Sequence, residues 1–186
     1  SMREFHQIYT MRNNVNNEIN IMLTGSLLCQ SILMKEKHLK DQNVDYDFNS
    51  SFNKIKRVLV NSDVAIGALD IGKSDIPLDY YRSLKNNGFN LCILNSRKSN
   101  CKEIELCHES ALLNITYNKG QLMDINGIKV GIICCTDDSI PDLLSNVEKE
   151  LYEMKKSNVE FIISYVIWAK NYGTHVTGYQ RAIATI

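Results

Sequence analysis

The chain has 186 residues, 44% of them hydrophobic and 23% charged. That is enough for one domain with a substantial core, and it argues against a disordered or collagen-like polypeptide. Lys plus Arg and Asp plus Glu both number 21, so no net field draws the protein to nucleic acid, an anionic membrane or an acidic polymer.

The first stretch, 1–18, is polar and Asn-rich, opens on Ser1-Met2 like an expression remnant, and lacks the apolar segment of a secretory leader. Apolar runs then alternate between strand-like and helix-like. Ile19 to Leu23 predicts a short strand ending in Thr24-Gly25-Ser26, with a helical stretch from Leu27 to Met34. Phe52, Ile55, Val58 and Leu59 share one helical face. Val64 to Leu69 is the second strand. Pro77 opens a helix with Leu78, Tyr81 and Leu84 on its apolar side, and Gly88 closes it. Leu91 to Leu94 is the third strand, and Lys102 to Leu113 reads as a helix.

A hairpin follows: Gln121 to Ile125, the turn Asn126-Gly127, then Ile128 to Cys135. Asn-Gly tolerates positive φ at both turn positions, as a two-residue hairpin requires. Pro141 starts a helix to Lys156, Phe161 to Trp168 is a strongly apolar strand, and Thr177 to Ile186 begins a last helix. Alternating strands and helices predict an α/β fold: mostly parallel strands flanked by helices, with one antiparallel hairpin. Residues 19–186 read as a single domain, and no run reaches the length of a membrane span.

Of the six cysteines, Cys29, Cys92, Cys134 and Cys135 lie in or beside apolar runs, where thiols behave as small hydrophobes. Cys101 and Cys107, with five residues between them, fit no short zinc pairing. Reduced structural thiols and a cytoplasmic location are the expectation.

In sheets of this kind, chemistry gathers just past the carboxyl ends of the strands. Here those ends carry Ser26, Asp70, Ser96, Arg97, Lys98, Asp137, Asp138 and Trp168, with His175 in the loop that follows. Arg97 and Lys98 suit an anion such as phosphate or a carboxylate. Each residue also has a plainer role: Asp70 as a turn residue, Arg97 and Lys98 as solvated cations, Trp168 as a core anchor and His175 as a surface histidine. No Ser/Cys–His–Asp arrangement and no P-loop is present.

The order Val44-Asp45-Tyr46-Asp47-Phe48, then Ser62-Asp63-Val64-Ala65-Ile66-Gly67-Ala68-Leu69-Asp70, resembles the capsule-synthesis CapA family, whose pattern runs YDYDF, helix, ADxxIGNLE. Thr24-Gly25, the Asn-Gly-Ile-Lys-Val-Gly run at 126–131, Trp168 and Gln180-Arg181-Ala182 extend the resemblance across most of 19–186. It implies a layered, metallophosphoesterase-like fold, a bacterial origin and a part in making poly-γ-glutamate capsules. The final strand and helix of the family would then be missing, so association with that segment or with a second copy is expected.

The resemblance also implies where metal ligands should stand, and there this sequence departs. The TGD carboxylate position holds Ser26, the Asn of GNLE becomes Ala68 and its Glu becomes Asp70. The His of ANNH becomes Lys98, and that of HWG becomes Ile167. At roughly 4 Å and an effective dielectric of about 20, one cation opposes a monovalent ion by about 4 kcal/mol and a divalent one by about twice that. The sequence therefore predicts a pseudoenzyme without catalytic residues, metal or cofactor. It would bind an anion through Ser26, Asp70, Ser96, Arg97, Lys98 and His175, or a partner subunit of a polymer-synthesis system. The alternative is a hydrolase using a divalent metal such as manganese, with Asp70, Asp137, Asp138 and His175 as rearranged ligands.

Overall fold

Parallel strands have no hairpin to set their register, so the sequence must set it otherwise. In this chain short polar contacts at the strands' amino ends do so. The Asp63 amide donates to the Asn20 carbonyl at 2.8 Å, and the Asn20 amide returns to the buried Asp63 carboxylate at 2.7 Å. One strand further on, the Ala65 amide donates to the Asn90 side-chain oxygen at 2.7 Å and the Asn90 amide to the Ala65 carbonyl at 2.9 Å. The Leu113 amide completes the series on the Asn90 carbonyl, also at 2.9 Å.

The computed structural model describes residues 5–8, 18–29, 47–70, 76–95, 101–116, 119–136, 140–168 and 176–185. Its strands are β1 (Phe5–Ile8), β2 (Ile21–Leu28), β3 (Val64–Asp70), β4 (Leu91–Asn95), β5 (Leu113–Thr116), β6 (Lys119–Ile125), β7 (Ile128–Thr136) and β8 (Phe161–Ile167). The helices are a 3-10 turn (Phe48–Phe52), α1 (Lys56–Asn61), α2 (Leu78–Asn86), α3 (Cys101–Glu109), α4 (Ile140–Lys156) and α5 (Gly178–Ile183). Contacts gather into two compact units, one from 10–116 and one from 1–9 with 117–186. The fold class is α/β, with every strand pairing parallel except the β6–β7 hairpin. No described helix is long and apolar enough to cross a membrane.

The first unit holds the all-parallel sheet β2-β3-β4-β5. On one face, Ala65, Leu69, Cys92 and Leu94 pack with Phe52, Leu59, Tyr81, Leu84, Phe89 and Cys107 from the helices and loops. On the other face, Val64, Ile66, Ala68, Leu91, Ile93 and Ile115 are buried too. Burial on both faces explains why β3 and β4 read as near-continuous apolar runs. Gly67 lies where a Cβ would overlap Leu27 Cδ1 and stand 3.0 Å from Phe89 Cε1, so its missing side chain makes room for both.

The second unit holds β1-β6-β7-β8. The hairpin turn has φ of 53° at Asn126 and 87° at Gly127, and Asp124 Oδ1 accepts the Gly127 amide at 2.9 Å. Leu122, Ile133 and Cys135 face α4 through Leu143, Val147 and Met154. Thr177 and Gln180 cap α5 reciprocally: the Gln180 amide donates to Thr177 Oγ1 at 3.1 Å, and the Thr177 amide to Gln180 Oε1 at 3.0 Å.

Several expectations need correction. β2 does not stop at Thr24-Gly25-Ser26. Gly25 bulges out, and Ser26, Leu27 and Leu28 continue the ladder against Ala68, Leu69 and Asp70, so no helix opens at Leu27; positions 30–34 of the expected helix lie outside the described residues. Ile55 and Val58 are 42% and 50% exposed, while Phe52 and Leu59 are buried, because the break between the 3-10 turn and α1 shifts the helical phase. The helix from 102 ends at Glu109, and Leu113–Thr116 is the outer strand of its sheet, too short and too close to the helix for periodicity to reveal. Phe5–Ile8, inside the polar leading stretch, pairs in parallel with β6.

Two helices end in the same motif with different residues. After α2 the Phe89 amide reaches the Leu84 carbonyl and the Gly88 amide the Lys85 carbonyl, with Gly88 at φ 106°. After α3 the Leu112 amide reaches Cys107 and the Ala111 amide His108, but here an alanine takes φ 55°. A left-handed L-residue costs about 1–2 kcal/mol. Ala111→Gly should therefore raise unfolding free energy by about 1 kcal/mol. Gly88→Ala should lower it by more, because the new Cβ also lies 3.0 Å from the Val60 backbone nitrogen. Urea denaturation of both variants checks the opposite signs. In the same assay Asn90→Ala should cost about 1–3 kcal/mol, since the Ala65 amide loses its acceptor.

Candidate functional site

The register of the first unit determines what stands together at its carboxyl edge. Asp70 closes β3, directly beside Leu28 of β2 and Asn95 of β4. It is half-buried. Ser26, two positions back along β2, is exposed and pairs with Ala68, which is buried. Ser26 thus sits within an edge strand next to the Gly25 bulge, not in a βα turn. The backbone amides at 24–26 belong to this strand and do not open a helix N-terminus.

Of the sequence-predicted binding residues, Ser26 and Asp70 therefore belong to one sheet edge. Ser96, Arg97, Lys98 and His175 lie outside the described residues, as do Asp137 and Asp138. Ile167 closes β8 opposite Thr136, and Trp168 follows it, packed against the cluster beneath α4. Among the described residues, no three His, Cys, Asp or Glu side chains gather closely enough to hold a metal ion.

Cys29, Cys92, Cys107, Cys134 and Cys135 are free and buried. A hydrogen bond to Cys107, then complete burial, holds the Cys92 thiol well above its ordinary range. Burial is the main cause at Cys134, pushed up to about 12, and at Cys135, pushed up to about 11. Cys29 is raised by burial as well. The raised thiols of Cys29, Cys92, Cys134 and Cys135 stay protonated at neutral pH and serve as packing atoms, since the thiolate is the reactive form.

Sequence reasoning gave Trp168 an anchoring role alone. The structure also places it in the wall of a cavity of about 380 Å³ within the second unit, together with Leu151, Lys155, Ser164, Val166 and Gln180. The available signal was weak: Val147, Leu151 and Lys155 repeat every four residues along α4, an apolar stripe that ends in a cation.

No family model, curated protein or solved structure matches this chain.

The raised thiols have a consequence for stability. Above pH 9, the ordinary value for these thiols, an unfolded chain releases protons that the folded chain keeps, so the unfolded state binds fewer protons and stability falls as pH rises. The contribution is complete below pH 9 and is lost through the range up to about 11 and 12. Urea unfolding at pH 8, 9, 10 and 10.5 should show this decline, at no more than about 1.4 kcal/mol per pH unit for each thiol. Cys134→Ala should flatten it.

Proposed function

We propose that this chain is a non-catalytic, CapA-like α/β module, linked to the synthesis of a poly-γ-glutamate-type capsule polymer, that binds a partner protein or an anionic ligand. The observation that carries this reading is the residue set at the carboxyl edge of the parallel sheet. Leu28, Asp70 and Asn95 stand side by side there, with a single carboxylate among them.

A divalent metal that activates water needs several hard or borderline ligands converging on one point. Among the described residues, Asp70 is not joined by the other ligands of such a set. Ser26 offers a hydroxyl on the edge strand, and Ala68 offers hydrocarbon. Replacement at several ligand positions, in a chain that keeps the α/β framework, supports binding without hydrolysis.

Metal analysis tests this directly. The purified chain is equilibrated with manganese, iron and zinc, desalted and assayed for each element. Retention should be far below one ion per chain, and manganese-dependent hydrolysis of a phosphodiester should stay at background. A stoichiometric ion lost in Asp70→Ala, or phosphodiesterase activity abolished by the same change, would overturn the proposal and establish the hydrolase with rearranged ligands.

A further inference from the structure

The cavity in the second unit follows from where α4 lies. This helix joins the parallel strands β7 and β8 and so runs antiparallel to both. Its close approach at one end is visible at Gly131, where a Cβ would stand 2.8 Å from Met154 Sδ and 3.3 Å from Ile162 Cγ1. α4 packs over β6 and β7. The outer strand β8 is left half-covered, with a slot between its face and the helix.

Side chains that alternate along β8 share one face, so Ile162, Ser164, Val166 and Trp168 point the same way. Opposite them stands the α4 stripe of Val147, Leu151 and Lys155, and Gln180 adds to the lining. Because α4 is antiparallel to β8, Lys155 lies towards the Ile162 end of the slot and Val147 towards the Trp168 end. The charge therefore lies at one end, and Val147 and Trp168 line the other.

Each polar side chain can donate a hydrogen bond. Lys155 makes no ion pair among the described residues, whereas its neighbour Lys156 pairs with Glu153 at 4.0 Å and lies over the Tyr152 ring. The Ser164 hydroxyl is uncommitted among the described residues. Gln180 uses its side-chain oxygen in the α5 cap, which leaves its amide nitrogen to donate. The positive charge of Lys155 with the Ser164 hydroxyl matches the charge and the lone pairs of a carboxylate. The volume of about 380 Å³ falls within the range of about 300–1,000 Å³ typical of small-molecule sites lined by apolar and aromatic groups with a few polar ones.

We infer that this slot binds a monocarboxylate with an apolar body, its carboxylate at Lys155 and Ser164 and its body along Leu151, Val166 and Trp168. All its lining residues belong to the second unit, and it does not depend on the capsule-related reading.

Trp168 is the single tryptophan of the chain, so its emission reports on the end away from Lys155. The full chain is titrated with decanoate and, separately, with decanol, which has the same body without the charge. Decanoate should change the Trp168 emission saturably, and decanol should bind at least about tenfold more weakly, since tenfold corresponds to about 1.4 kcal/mol. Lys155→Gln, at an exposed helical position, should bring decanoate down to the affinity of decanol and leave decanol unchanged. Ser164→Leu should fill the slot and remove both responses without lowering the melting temperature. Absence of a saturable response, equal binding of acid and alcohol, or decanoate affinity unaffected by Lys155→Gln would each overturn the assignment.

Discussion

The structure depends on how Asn20, Asp63 and Asn90 hold the amino ends of the parallel strands. A parallel ladder is evenly bonded along its length and carries no turn that fixes its phase. A slip of one residue would turn every side chain to the opposite face. In β3, whose two faces are both buried and apolar, hydrophobicity discriminates only weakly between registers. A carboxylate that receives an amide, and an amide side chain that caps the neighbouring strand, supply the discrimination that apolar packing lacks.

From that end the consequences run along the strands to the other. With β2, β3 and β4 aligned, the residues side by side at the carboxyl edge are Leu28, Asp70 and Asn95. The same polar contacts that set the fold therefore also set the chemistry available at this sheet edge. Asp63 illustrates the division. Its carboxylate is buried and holds the Asn20 amide, a structural duty at the end of the strand remote from Asp70.

Much of the fold was legible in the sequence, for identifiable reasons. β3, β4, α2, α4 and β8 are long or strongly patterned, and the Asn126-Gly127 hairpin rests on a backbone conformation that few other dipeptides accept. What escaped was local. β1 and β5 have four residues each, too few for alternation to register. α3 terminates at an alanine in the left-handed region, where sequence rules look for glycine or asparagine. Of the predicted binding residues, Ser26 and Asp70 fall on the same sheet edge, but Ser26 is a strand residue and not part of a loop. The slot beside Trp168 left only the weak stripe of Val147, Leu151 and Lys155 in the sequence, because it arises from incomplete coverage of an outer strand and no single segment encodes that.

Gly25 shows how one residue can change the sense of a strand. Before it, Met22 and Thr24 align with Ala65 and Gly67; after it, Leu27 aligns with Leu69. The side facing the helices therefore passes from even positions to odd, and an alternation counted straight through would invert everything beyond. The looped-out residue touches nothing within 4 Å where its side chain would begin. Position 25 is accordingly a natural mounting point: a spectroscopic label or a grafted peptide attached there would project from the sheet border close to Asp70 while the ladder on either side stays intact.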